Sequence, residues 1–341
     1  MYLIASKTDN DSISLARSIA ATLKSKKLDY AVSKGIPINC NLKTADEPEC
    51  DMIISVGDDN FILRTFRALG EKQTPVFAVA SMQSFLAHAN SLNFKYYLGL
   101  IEKGKYEIFK RSRMIARFNK TKSPMALNDI GIFSSKVASL LKYSLVLDGK
   151  IFWHDVGDGI VVCTPTGSTG YSLSAGGPII LDEPSIFALT PISSMEKHSC
   201  VIVSSATKIK LADIEASKPI ILIDGEIRMP LDEKEVMIEK SPSSANFVIF
   251  SKEYQLESKL KKRTLQLNEE KLRGLPASAK LVHRILQDEG RMTQKEIINN
   301  SLLPERTVRY ALDFLMKKNL ITNHPHFNDA RQNVYNITTK Q

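Results

Sequence analysis

Residues 158–180 read DGIVVCTPTGSTGYSLSAGGPII. Gly159 to Cys163 is a short β-branched, apolar run of the kind that forms a fully buried strand. The run then breaks into a turn crowded with Thr, Ser and Gly. Such a turn offers hydroxyls, small side chains and accessible backbone amides to a polar, phosphate-bearing ligand. Composition alone does not distinguish it from an ordinary turn. The order of residues over this length is the specific signal.

Around this stretch, further strand-like runs at Tyr143–Leu147, Val201–Val203 and Ile220–Ile223 are separated by turn signals such as DG, PTG and GGP. They predict a mostly antiparallel β region from about residue 108 to 251. Upstream the texture differs. MYLIAS reads as a strand, and Ile13, Ala16, Ile19, Ala20 and Leu23 have helical spacing within Ser12 to Lys26. Met52–Val56 and Val76–Ala80 are further apolar runs with a helical pattern between them, so residues 1–107 predict alternating strands and helices on a parallel sheet. The strand at Met52 leads into SVGDDNFILR, Ser55 to Arg64, a strand-to-helix turn in which Gly57 is followed by Asp58, Asp59 and Asn60. A phosphate-cradling turn ordinarily carries more glycine, because glycine lets backbone N–H groups approach closely.

Residues 252–276 are a charged connector, helical in part, and 277–341 read separately. Leu281, Val282, Ile285 and Leu286 mark one helix, Thr293 and Glu296 form the capping box of a second, and Pro304 opens a third carrying Val308, Ala311, Leu312 and Leu315. Two strands around an Asn328-Asp329 turn follow. This order resembles an α+β winged helix, with Glu305–Lys318 as recognition helix. The resemblance implies DNA contacts from Arg306, Arg309, Lys317, Lys318 and Arg331. A protein–protein module is the alternative, and each of these cations is alternatively a solvated surface charge.

Of the net charge of +9, residues 277–341 carry +4 and 252–276 carry +3, which places the attraction for an anionic partner at the C-terminal end. Cys40, Cys50, Cys163 and Cys200 have no metal-binding or disulfide-framework spacing. No signal peptide or membrane span is visible, so a soluble, cytoplasmic protein with no membrane association is expected.

The segment at 158–180 resembles the signature of the NAD kinases, which phosphorylate the 2′-hydroxyl of the adenosine ribose of NAD. The resemblance covers residues 1 to about 265. Asn128-Asp129 resembles that family's Asn-Glu motif, and Asp224-Gly225-Glu226 its Asp-Gly-Gln motif. The SVGDDNFILR turn falls at the family's Gly-Gly-Asp-Gly loop, with Gly57 on the first glycine, Asp59 on the catalytic aspartate, and Asp58 and Asn60 replacing two glycines. The nearby segment VFAVASMQSFLAHA, Val76 to Ala89, also departs from the family pattern, and Gly170 stands for its usual alanine.

The fold this implies is α/β plus β: a Rossmann-like domain at 1–107 and a β-sandwich-like domain at 108–251. The start of the connector is expected to return towards the first domain, with the nucleotide between the two. The implied substrates are NAD and ATP or polyphosphate, with Mg²⁺, and a homo-oligomer is expected. Asp59 would accept the 2′-hydroxyl proton. Asn60, Asn128, Asp129, Asp158, Thr166, Thr169, Gly170, Tyr171 and Ser174 would hold NAD, and Gly57, Asp58 and Asn60 would form the donor loop. Alternatively, Asp59 is a helix N-cap, Asn128-Asp129 a surface turn and Tyr171 a packing aromatic.

Asp58 adds a side chain where the loop is expected to need positive φ. It also adds a charge that repels donor phosphates by on the order of 1–3 kcal/mol unless it holds donor-chelated Mg²⁺. A second expectation is therefore a catalytically impaired domain that senses NAD(P) and regulates transcription through the winged helix. A lipid or sugar kinase is a third, opposed by the PTGSTGYSLSAGGP segment.

Overall fold

A computed structural model describes residues 1–33, 50–81, 84–136, 139–181, 184–250, 275–301, 303–326 and 329–338. The connector expected at 252–276, except its last two residues, Asn328 of the expected turn, Cys40 and the side chain of Arg331 lie outside the described residues. The chain forms two compact units, Met1–Lys259 and Leu260–Gln341.

The first unit opens with β1 (Tyr2–Ser6), α1 (Asn10–Ser25), β2 (Tyr30–Val32), β3 (Met52–Gly57), α2 (Asp59–Leu69), β4 (Val76–Ala80), β5 (Ala89–Asn90), α3 (Phe94–Glu102) and β6 (Glu107–Arg111). β1, β3 and β4 pair in parallel, and all six residues of β3 are buried, as expected for a strand covered on both faces. Alternation sends Ile54, Phe77 and Val79 towards α1 and α3, and Ile53, Val76 and Ala78 towards α2. Ser55, whose hydroxyl would be costly in this core, bonds the Thr65 hydroxyl of α2 at 2.9 Å.

Next come β7 (Met114–Phe118), β8 (Thr121–Lys122), β9 (Asp129–Ser134), β10 (Leu141–Leu147), β11 (Lys150–Gly157), β12 (Gly159–Cys163), a 3-10 turn at Thr166–Thr169, α4 (Tyr171–Ser174) and β13 (Ile186–Ile192). The unit continues with β14 (Val201–Ser204), β15 (Ile209–Glu215), β16 (Pro219–Ile223), β17 (Ile227–Pro230), β18 (Val236–Lys240) and β19 (Ala245–Ile249). Among the described residues these strands form two six-stranded antiparallel sheets, ordered β11-β10-β15-β18-β7-β8 and β14-β13-β12-β9-β16-β17. One core joins them, with Met114, Leu145 and Ile238 from the first sheet and Ile130, Ile160, Phe187 and Ile221 from the second. On the opposite face of β12, Val161 and Cys163 pack with Ile180 and Ala188, beneath the segment that carries the Thr/Ser/Gly turn.

β19 leaves these sheets and inserts between β4 and β6, so the first sheet takes in residues from both ends of the β-rich region. The chain thus returns to the first sheet at 245–249, ahead of the connector. Arg113, 1% exposed, braces this junction. Its guanidinium donates to the carbonyls of Phe66, Gly70 and Ser243 at 3.1, 2.8 and 3.0 Å, which ties the C-terminal end of α2 to the returning chain. Burial pulls Arg113 down to about 10, so it remains charged at neutral pH.

The second unit has α5 (Ala277–Glu289), β20 (Met292–Thr293), α6 (Gln294–Ser301), α7 (Glu305–Lys317), β21 (Ile321–His326) and β22 (Asp329–Ile337). Its core takes Val282 and Leu286 from α5, Ile297 from α6, and Val308, Ala311, Leu312 and Leu315 from α7. The capping box forms: Thr293 N donates to Glu296 at 2.7 Å, and Glu296 N donates to the Thr293 hydroxyl at 3.3 Å. Pro304 is the residue before α7 rather than its first residue.

Candidate active site

The strand-to-helix turn after β3 differs from expectation in two respects. Asp58 has φ −84° and ψ 179°, an extended conformation open to any residue, so its side chain causes no backbone strain. It is also Asp58, not Asp59, that caps α2, accepting from Phe61 N at 2.9 Å. Its other oxygen accepts from Lys7 Nζ at 2.7 Å, so the charge expected to repel a donor already has a counter-ion. Burial works against ionisation of Asp58, but the Lys7 and Phe61 hydrogen bonds outweigh it and hold the carboxyl below the usual carboxylate range. Gly57 is required for a different reason than positive φ: a Cβ there would lie 2.8 Å from that of Phe61.

With the cap assigned to Asp58, Asp59 points into the loop that follows β4. It accepts from Phe85 N at 2.9 Å, Leu86 N at 3.0 Å and the Ser84 hydroxyl. The altered segment at 76–89 therefore holds the candidate base in one orientation. A carboxylate offers about four lone-pair directions, so these contacts leave it able to accept from a substrate hydroxyl. Asn60 is exposed on the first turn of α2.

Asn128 and Asp129 are not a surface turn. Thr164 N donates to Asn128 O at 2.9 Å and the Thr164 hydroxyl to Leu127 O at 2.6 Å, joining this loop to the start of the Thr/Ser/Gly turn. A Cβ on Gly167 would lie 2.0 Å from Asn128 O, so the close approach needs glycine. Asp224, on the β16–β17 turn, accepts from Leu127 N at 3.0 Å and Asn128 N at 2.8 Å. Its second oxygen meets Arg67 of α2 at 2.6 Å. Glu226, where the related motif has Gln, pairs with both Arg64 and Arg67. The Asp-Gly-Glu motif thus fastens the Asn128 loop to the helix that begins with Asp59.

The Asn128 Oδ1 atom is buried with no hydrogen-bond partner among the described residues. Leaving such a group unpaired costs about 1–3 kcal/mol, so it is suited to a ligand donor. Beside it, burial and then the Asp224 charge push the Asp129 carboxyl up to about 7. Burial, the largest influence, leaves the Asp224 carboxyl raised as well, although Arg67 and the Asn128 and Asp129 amides favour its charged form.

Within the Thr/Ser/Gly turn the hydroxyls divide into two groups. Ser168 donates to Pro165 O at 2.8 Å and accepts from Ile180 N at 3.0 Å, while Ser172 bonds the Thr190 hydroxyl at 2.9 Å. These inward hydroxyls secure the turn. Thr166 is buried beside them, Thr169 and Gly170 are half-buried, and Tyr171 and Ser174 are exposed. Tyr171 lies 5.7 Å, ring to ring, from Phe133. A Cβ at Gly170 would sit 3.2 Å from Gly167 O and 3.6 Å from Asp129 Oδ2, so the usual alanine would need the turn backbone to shift by a few tenths of an ångström.

Asp158 is exposed at the opposite end of β12 from Cys163, the residue paired with Asp129, and is not brought together with the Asn128 loop. Lys7, Arg67, Arg113 and Ser84 are contributors that sequence reasoning missed. Only the Asp-Gly-Glu motif hinted at the Asp224 junction, and nothing local marked its arginine partners. In the second unit, Arg306, Arg309, Lys317 and Lys318 are exposed on or just after α7, and Arg309 pairs with Glu305 at 2.8 Å.

Comparison with known proteins gives a consistent picture. Residues 127–250 match the family model described as the ATP-NAD kinase C-terminal domain, and 278–322 match a winged helix-turn-helix DNA-binding model. The chain is 32% identical over 238 residues to an NAD kinase of Treponema denticola, covering 67% of this chain and 83% of that protein. It is 31% identical over 254 residues to a bifunctional NADP phosphatase/NAD kinase of Methanocaldococcus jannaschii, covering 72% of this chain but only 44% of that longer protein. A crystal structure of an NAD kinase from Archaeoglobus fulgidus in complex with ATP aligns with TM-score 0.60 and 29% identity. That match covers 72% of this chain and 92% of the other.

Proposed function

This chain belongs to the NAD kinase family, and we propose that it transfers a phosphoryl group from ATP, or from polyphosphate, to the 2′-hydroxyl of the adenosine ribose of NAD, giving NADP. The observation that carries this reading is the Asp224 junction, which fastens the Asn128-Asp129 loop to the helix bearing Asp59. The junction supports one nucleotide site formed from segments far apart in sequence.

Asp59 accepts the 2′-hydroxyl proton as the bond to the donor phosphorus forms. Asn128, with its buried acceptor, and Asp129 orient the nucleotide, and Thr166, Thr169, Gly170, Tyr171 and Ser174 enclose it, Tyr171 by stacking. Asn60 completes the set assigned to NAD, Asp158 at the far end of β12 is left out of it, and Gly57, Asp58 and Asn60 form the donor loop. No cluster of three metal-ligating side chains occurs among the described residues, and both oxygens of Asp58 are engaged. The residues present do not fit a resident ion, so Mg²⁺ enters as part of the nucleotide substrate.

The test is NADP formation from NAD by the purified chain with MgATP and with polyphosphate in turn. NADP from neither donor would reject the reading. The relatives are kinases, which does not favour the impaired NAD(P) sensor. Further parts of the proposal are a Rossmann-like domain at 1–107, a β-sandwich-like domain at 108–251, a connector at 252–276, a winged helix at 277–341, a homo-oligomer and a cytoplasmic location. Among the described residues, no helix is long and apolar enough to cross a membrane.

For the winged helix, the exposed cations of α7 support a DNA-contacting role, with Arg306 and Arg309 at base edges or phosphates and Lys317, Lys318 and Arg331 on the backbone. DNA affinity is expected to fall steeply with salt, by roughly tenfold or more between 50 and 200 mM, in a gel-shift series. Affinity that is absent or independent of salt would reject it.

A further inference from the structure

Lys7 follows β1 directly, and its backbone N–H bonds Val56 O at 2.9 Å, which sets it at the carboxyl ends of the parallel strands β1 and β3. Ligands of open α/β sheets bind at that edge. The Lys7 ammonium lies 2.7 Å from Asp58 and 3.7 Å from Asp9. Each of these aspartates is already committed to a helix cap, Asp58 to Phe61 N and Asp9 to Ser12 N, both at 2.9 Å. The lysine side chain is 40% exposed, so its ammonium reaches solvent beside the turn.

We propose that Lys7 is a phosphate-donor ligand, its ammonium exchanging Asp58 for a phosphate oxygen when the donor binds. The inference rests on the kinase reading, because it assigns the donor to the turn that precedes Asp59. Asp58 stands where the related loop has glycine, and a polyanion entering there would meet an uncompensated carboxylate without Lys7. With Lys7 the Asp58 charge is compensated before binding, and the lysine supplies a compact positive charge in place of a glycine-rich amide cradle. Three N–H donors let it add a phosphate oxygen before Asp58 is released. Asp58 keeps its cap to Phe61 throughout, so the exchange leaves α2 in place.

The alternative is a latch that only joins β1 to α2, and the two roles predict different signs. Lys7→Gln is expected to raise the donor KM, and the Kd for MgATP measured by titration calorimetry, about tenfold, with the KM for NAD unchanged. Asp58→Asn keeps the cap, since Asn caps as well as Asp, and removes the competing charge, so donor KM and Kd are expected to fall. Lys7→Arg retains the charge and is expected to keep most of the affinity. A latch would instead lower the melting temperature in both Lys7→Gln and Asp58→Asn without moving the MgATP Kd.

Equal MgATP affinity in wild type and Lys7→Gln overturns the proposal, as does the absence of MgATP binding by wild type. A wild type that forms no NADP yet loses MgATP affinity on Lys7→Gln rejects the kinase reading alone.

Discussion

Asp59→Asn is expected to lower kcat by roughly 10²–10⁴-fold, with much smaller changes in KM for either substrate. Asp59 does not cap α2, so its carboxylate is not tied up in holding the helix. Its oxygens are steered by Phe85 N, Leu86 N and Ser84, and an asparagine of the same shape would still occupy the loop. What is lost is the proton acceptor. The substituted amide would also turn its NH₂ towards a backbone N–H, so a stability loss of about 1–3 kcal/mol is expected alongside. Single-turnover NADP formation and a thermal melt of the same variant separate the two effects. Unchanged turnover would remove Asp59 as the base and leave Asp58, already paired with Lys7, as the remaining carboxylate on this turn.

Asp129→Asn is expected to stabilise the ligand-free protein in a pH-dependent way. The native carboxyl is pushed up from 3.8 to about 7, first by burial and then by the Asp224 charge. Its folded pKa therefore exceeds its unfolded one. The stability linked to the bound proton is fully present below about pH 4, falls as pH rises, and is gone above about pH 7. Asparagine resembles the protonated acid and carries no such dependence. The variant's melting temperature should match wild type near pH 4 and exceed it at pH 8 by the equivalent of on the order of a few kcal/mol. A difference that does not grow between these limits would mean that Asp129 is paired or solvated in solution. The destabilisation is what a buried acid reserved for a ligand imposes on the free protein.

The parts of the molecule legible in the sequence were those built from neighbouring residues. Ala16, Ile19 and Leu23 of α1 announced a buried face by their spacing, although the structure buries Leu15 and leaves the expected Ile13 and Ala20 half-buried, and β12 matched its apolar run residue for residue. Thr293 and Glu296 announced a helix start that the structure reproduces in both hydrogen bonds. The order of residues at 158–180 carried the family resemblance, although it did not tell the hydroxyls that secure the turn from those that face outwards.

Long-range placement was not legible. Asp58 and Asp59 are chemically alike, and only the position of Lys7 on one side and of the Ser84–Leu86 loop on the other decides which caps and which is left for chemistry. β19 resembles any other short apolar strand in composition, so nothing local assigns it to the first sheet between β4 and β6. Arg67 and Arg113 look like ordinary surface cations until folding brings Asp224 and the carbonyls of Phe66, Gly70 and Ser243 to them. The sequence by itself determined the order of elements, the winged helix and the family motif, because hydrophobic period, capping and motif order act over a few residues. The tertiary structure alone decided the division of labour in the site, because hydrogen bonds and ion pairs between distant segments exist only once the sheets have brought those segments together.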